Sequence, residues 1–198
     1  MRIKSVLMLF PMLLLMMLSN GGANSSASNL AASTAGLPHQ VYVQGDSLSS
    51  DLWLGLRHRL VGWQIHLSAR SGRHVLTGLS LMRQTRLSPV VVFALGTNDY
   101  DMPGWWHRSQ LEKAIHMAGP KRCVVLATVW GDGASRPVFN NQVRSLARKY
   151  GPKRVQVLGW AEAVKASRVR LSDGTHPNSW VLRASMMASA IKHCAASR

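Results

Sequence analysis

The sequence predicts a three-layer α/β fold: a parallel, flavodoxin-like sheet of five strands with helices on both faces. Three observations predict it. Short apolar runs alternate with stretches of helical periodicity, the rhythm of β-α-β units. Two of those runs, Val90–Leu95 and Cys123–Val129, are almost unbroken in apolar residues, as strands buried on both faces are. Finally, the clusters able to do chemistry follow strands, and open parallel sheets place working residues at the carboxyl ends of their strands.

Taken in order, Val41-Tyr42-Val43 forms a brief first strand ending at Gly45. Asp51–Leu60 carries Leu52, Leu56 and Leu60 four residues apart, the spacing of an amphipathic helix. Trp63–Leu67 is the second strand, and Val75–Gln84 a helix with Leu76, Leu79 and Met82 on one side. Val90–Leu95, opening with three valines, is the third strand. Ser109–Met117 is helical, Cys123–Val129 is the fourth strand, and Val138–Tyr150 is a long basic helix. Val155–Leu158 is the fifth strand and Ser179–His193 the closing helix.

A chain of 198 residues suits one domain with a sizeable core. With 46 % apolar and 16 % charged residues it reads as folded rather than disordered. Its 24 Lys and Arg against 8 Asp and Glu give a net charge of +16. Such a surface attracts polyanions, whether anionic lipid headgroups, acidic wall polymers or nucleic acid. A general compositional bias is the plainer explanation, and no specific nucleic-acid partner is expected. Arg136, Arg144, Arg148, Lys149, Lys153 and Arg154 concentrate on and around one helix, as a solvated face or a docking surface for an anionic envelope polymer.

Arg2 and Lys4 precede an apolar run, Val6–Leu18, and small or polar residues follow from Ser19 to Ser28. That order is the one found in secretory signal peptides. The run falls short of the ~20 residues that span a bilayer, although an uncleaved anchor is the alternative. Cleavage is expected after Ala23, with Ala32 and Ala35 also suitable, so residues 1–23 read as a signal peptide and the product as exported to the periplasm, the wall or the medium. Residues 24–39, mainly Ser, Ala, Asn and Gly, read as a flexible lead-in, and 40–198 as the domain. Export makes the two cysteines, Cys123 and Cys194, an eligible disulfide that would tie the C-terminus to the sheet; two buried thiols are the alternative.

Three polar clusters remain. Gly45-Asp46-Ser47-Leu48-Ser49 lies between the first strand and a helix. Ser47 could be a plain helix N-cap, or a hydroxyl held out at the tip of the turn with its N–H aimed at an anion. Gly96-Thr97-Asn98-Asp99 follows the third strand as an ordinary turn, or as one whose Asn98 amide donates to a developing oxyanion. In Asp173-Gly174-Thr175-His176-Pro177 an acid precedes a histidine by three residues. There Asp173 can accept from the imidazole while its other nitrogen takes a proton from a serine.

The three blocks, in this order and spacing, resemble the signatures of the SGNH (GDSL-like) hydrolases, and the resemblance covers residues 41–194. It implies Ser47 as nucleophile, His176 as general base and Asp173 as its partner. Asn98 and the Ser47 N–H would serve in the oxyanion hole. Ser68-Ala69-Arg70-Ser71-Gly72 is similar to the family's remaining block, which implies Gly72 as a further backbone donor, with Gly78 the fallback because Arg73 stands where the family often has an acidic or polar residue. Trp105 and Trp106 would wall a substrate pocket or pack beneath a loop, and Trp53, Trp63, Trp160 and Trp180 are expected in packing. No cofactor and no metal are implied, since the histidines show no ligand spacing.

The expected activity is hydrolysis of a carboxylic (O-acyl) ester through an acyl-serine intermediate, by a monomer. The partner is an ester substrate: a small molecule, a lipid or an acetylated glycan. A second expectation is transfer or removal of acetyl groups on cell-envelope polysaccharide, as in SGNH domains attached to membrane acyltransferases. A third is an inactive basic binding protein on the same fold.

Overall fold

The computed structural model describes residues 39–131 and 135–197. The segments expected as signal peptide (1–23) and lead-in (24–39) lie, apart from His39, outside the described residues. Five strands form one parallel sheet: β1 (Gln40–Gly45), β2 (Gln64–Ala69), β3 (Val90–Ala94), β4 (Cys123–Ala127) and β5 (Val155–Leu158), in the order β2-β1-β3-β4-β5. This is the flavodoxin-like arrangement, with a topological switch where β1 lies between β2 and β3.

Period-two alternation explains why the central strands are apolar throughout. Val90, Val92 and Ala94 of β3 point into one core and Val91 and Phe93 into the other. Cys123, Val125 and Ala127 of β4 divide from Val124 and Leu126 in the same way. All ten of these residues are buried, and each large aliphatic side chain so enclosed contributes about 1.5–3 kcal/mol relative to exposure.

The first core is closed by α1 (Ser47–Ser50), α2 (Trp53–Arg59), α6 (Trp160–Lys165) and α7 (Val181–Ala196), through Leu48, Leu56, Trp160, Met187 and Ile191. The second is closed by α3 (Val75–Arg83), α4 (Gly104–Ala118) and α5 (Ser135–Tyr150), through Leu79, Leu111, Ile115, Phe139 and Val143. Right-handed crossovers account for this division. The chain moves one way from β1 to β2 and the other way from β2 through β3, β4 and β5, so the crossover helices change face.

Several boundaries differ from the sequence reading. The helix expected over 51–60 is shorter, α2 covering 53–59, and a separate short helix, α1, precedes it at 47–50; Leu52, Leu56 and Leu60 are all buried as their spacing requires. On α3 the buried stripe is Val75, Leu79 and Met82, whereas Leu76 is 56 % exposed. At 100° per residue, Val75 lies closer to Leu79 and Met82 than Leu76 does. The α4 helix begins at Gly104, straight after Pro103, whose fixed φ of −72° suits a helix entry. The sequence reading names no element at α6; it is only six residues long, with its first side chain, Trp160, fully buried. Cys123 and Cys194 form a disulfide joining the start of β4 to the end of α7. Among the described residues no helix is long and apolar enough to cross a membrane.

Candidate active site

Ser47 opens α1, and the role of helix cap falls to its neighbour. The Asp46 carboxylate accepts from Leu48 N at 3.0 Å, so the serine hydroxyl is spared that task. Asp46 is fully buried, and burial raises its pKa while the nearby Arg183 guanidinium and the Leu48 N–H act against the rise. Arg183 is itself buried, donates from Nε to Leu48 O at 2.6 Å and lies 4.7 Å from the centre of the Trp160 ring. Burial lowers its pKa to about 10, leaving it charged at neutral pH. The turn that presents Ser47 is therefore held from below by α7.

The structure brings Ser47, His176 and Asp173 together from 129 residues apart in sequence. Ser47 Oγ lies 2.9 Å from His176 Nε2. His176 Nδ1 lies 2.7 Å from Asp173 Oδ2. With its proton on Nδ1, the imidazole donates to Asp173 and offers Nε2 to the serine hydroxyl. Asp173 Oδ1 also accepts from His176 N at 2.8 Å and from Thr175 N at 3.0 Å. These bonds, led by the one from His176 N, hold the carboxyl well below the usual carboxylate range. Asp173 and His176 sit at the tip of a small hairpin closed by Ser172 N to His176 O (2.8 Å) and Asn178 N to Arg170 O (2.9 Å).

On the other side of Ser47, the loop after β2 meets the turn after β3. Asn98 Nδ2 donates to Arg73 O at 3.1 Å, which fixes the amide plane and leaves its second N–H unused by that bond. Gly72, one residue earlier, has φ +70°, the left-handed region that favours glycine. Gly78 does not fit a donor role: its N–H is already given to His74 O at 3.1 Å within α3. Gly78 is small for packing, because a Cβ there would meet Leu95 Cδ1 at 2.1 Å.

Other residues at this site have structural roles that the sequence reading did not assign. Arg73 donates from Nη1 to Ser68 O (2.6 Å), Ser68 Oγ (3.2 Å) and Gly45 O (3.3 Å), stapling the Gly72 loop to the exits of β1 and β2. Asp99 is buried, caps α3 by accepting from Val75 N at 3.1 Å and lies 3.3 Å from His74 Nδ1. Burial raises its pKa against those bonds. A helical periodicity search could have flagged Arg183 as a cation on an apolar helix face; nothing local signals Arg73, whose acceptors come from two strands.

Trp106 packs against the second core and meets His107 edge-on, whereas Trp105 is 73 % exposed. Trp160 is core, Trp63 and Trp180 pack against it, and Trp53 is 41 % exposed beneath the Arg57 guanidinium. No group of His, Cys, Asp and Glu among the described residues is arranged to hold a metal ion.

No family model and no curated protein matches the sequence. Solved structures do match its fold. The C-terminal catalytic domain of peptidoglycan O-acetyltransferase A (OatA) from Streptococcus pneumoniae, with a methylsulfonyl adduct, superposes with a TM-score of 0.64 at 20 % identity, covering 81 % of this chain and 97 % of that one. A lipase/acylhydrolase from Enterococcus faecalis gives 0.65 at 18 % identity over 78 % and 95 %. The psychrotrophic esterase EstA from Pseudoalteromonas sp. gives 0.60 at 16 % identity over 78 % and 97 %. The chain therefore has the fold of the SGNH/GDSL hydrolases.

Proposed function

We infer that the protein is a serine ester hydrolase that works through an acyl-serine intermediate. The carrying observation is the continuous chain of hydrogen bonds from Ser47 Oγ through His176 to Asp173 at the strand-exit end of the sheet. As Ser47 Oγ attacks the ester carbonyl, its proton passes to Nε2, and the ionised Asp173 steadies the resulting imidazolium. The Ser47 and Gly72 N–H groups and the free Asn98 N–H hold the carbonyl oxygen as it gains charge. His176 then gives its proton to the departing alcohol. Water then attacks the acyl carbon and loses a proton to His176, and the bond to Ser47 Oγ breaks as that proton returns to the serine oxygen and the acid leaves.

The Ser47→Ala variant is expected to lose release of p-nitrophenol from p-nitrophenyl acetate and labelling by a fluorophosphonate. An undiminished rate would remove Ser47 from the mechanism. A folded wild type inert to the fluorophosphonate would instead favour a binding protein on this fold.

A second reading has the acyl-enzyme captured by a glycan hydroxyl in place of water. What favours it is the likeness to the OatA catalytic domain, which is named as a peptidoglycan O-acetyltransferase. An acetyl donor incubated with the enzyme and glycan oligomers separates the two: mass gain on the glycan means transfer, free acetate alone means hydrolysis.

We also infer export. The N-terminal pattern supports it, and so does the Cys123–Cys194 disulfide, since such bonds persist in oxidising compartments. Protein recovered from the envelope or the medium should begin near Asn24; recovery of the whole chain from cytoplasm alone would count against it.

A further inference from the structure

The hairpin that carries Asp173 and His176 at its tip has a second surface at its base. There a cavity of about 520 Å³ is lined by Arg168 and Arg170 from one arm, Asn178 from the other, Arg59 from the end of α2, and Leu182 and Ser185 from α7. Three guanidinium groups thus border one cavity. None of the three is in an ion pair among the described residues; Arg59 Nη1 donates to Gly55 O at 3.1 Å. Several other cations are held by partners within the fold. Arg144 is paired with Glu162, Lys149 with Glu112, and Arg154 donates to the carbonyls of Arg122 and Ile115. Gathering like charges without a counter-charge is unfavourable unless an anion comes to them.

The position of this cavity bears on the reaction. The imidazole that takes the proton from Ser47 must return it to the departing alcohol, so that part of the ester lies on the His176 side of the site. Asn178 follows His176 by two residues along an extended arm, a separation of about 7 Å. A group attached to the alcohol and reaching that far would arrive at Asn178, which lines the cavity with the arginines.

We propose that this cavity is a leaving-group subsite for an oxyanion, carboxylate or phosphate, borne on the alcohol portion of the ester. The proposal rests on the reading of Ser47 as nucleophile. Guanidinium forks match both oxyanions and hold them by paired charge-assisted hydrogen bonds. The subsite would favour acyl esters of acidic alcohols over neutral ones, without any change in the acylation chemistry.

The test compares 4-acetoxybenzoate with its neutral methyl ester, and 4-acetoxyphenyl phosphate as the phosphate arm, in the wild type and in the Arg168→Gln/Arg170→Gln double variant. Both side chains are exposed, and near-ultraviolet circular dichroism checks that the variant folds. The expected readout is the ratio of kcat/KM for the anionic ester to that for the neutral one. Intrinsic leaving-group reactivity cancels when this ratio is compared between the two proteins. It should fall by about fivefold or more in the double variant, and the wild-type preference should shrink in high salt. Whichever anionic arm loses more identifies the oxyanion. An equal ratio in both proteins would overturn the subsite. If the wild type cleaves neither ester, the nucleophile reading fails instead. Binding of 4-hydroxyphenyl phosphate, followed by ligand nuclear magnetic resonance, then decides the subsite: binding that the double variant loses supports it, and absent or equal binding refutes it.

Discussion

A single amide shows how much of this site depends on orientation. One N–H of Asn98 is held by Arg73 O, so the other points in a fixed direction before any substrate arrives. Asn98→Ala should lower kcat by about two to three orders of magnitude, the usual cost of one oxyanion donor, with a much smaller effect on KM. Steady-state kinetics on p-nitrophenyl acetate checks this, and an unchanged kcat would remove Asn98 from the oxyanion hole. At this scale Ser47, Asn98, Asp173 and His176 were legible because each sits in a short block whose residue types suit one another. Asp46, Arg73 and Arg183 were not legible as parts of the site. Their work is to satisfy or balance groups that only folding brings near, such as Leu48 O for Arg183 and Gly45 O for Arg73.

Among the elements, α7 has the widest reach, because it follows the hairpin of Asp173 and His176 directly and carries Arg183 beneath the turn of Ser47. Arg183→Met keeps the side chain's bulk but removes the bond to Leu48 O and leaves the buried Asp46 without its opposing charge. Leaving a buried carbonyl without its donor costs about 1–3 kcal/mol, so the variant should lose roughly that much stability in urea unfolding. Adding Asp46→Asn should cost less than the two single losses summed, because the second charge no longer needs compensation. Strict additivity would show that the two do not act as a pair. The strands were legible as elements because apolar runs bounded by turns leave few alternatives. The ends of helices were less so: α4 gains a turn from Pro103, and α6 is too short to display a period. The wrong stripe on α3 arose from reading Leu76 as an inward residue when Val75 fits the same helical face better.

For the molecule as a whole, the two ends of the sheet carry different duties. The hairpin, the Ser47 turn and the Asn98 turn occupy the strand-exit end. Cys123 begins β4 at the opposite end, where it anchors the last turn of α7 through Cys194. The basic stretch read as a solvated face or a docking surface is partly spent on internal contacts, since Arg136, Arg144, Lys149 and Arg154 all bond within the fold. Stability and chemistry should therefore separate when the disulfide is removed. The bond closes a sequence span of 71 residues, and chain-entropy arguments assign such a loop about 4 kcal/mol. For a domain of this size that corresponds to a fall in Tm of about 10 °C. The Cys123→Ala/Cys194→Ala variant should show that fall in a thermal scan. Well below its transition it should keep the kcat/KM of the wild type, because the turns of Ser47, Asn98 and His176 lie at the far end of the strands. A variant that kept its Tm would mean that the bond constrains the unfolded chain little. One that lost activity while fully folded would mean that α7 transmits its anchoring to the Ser47 turn through Arg183.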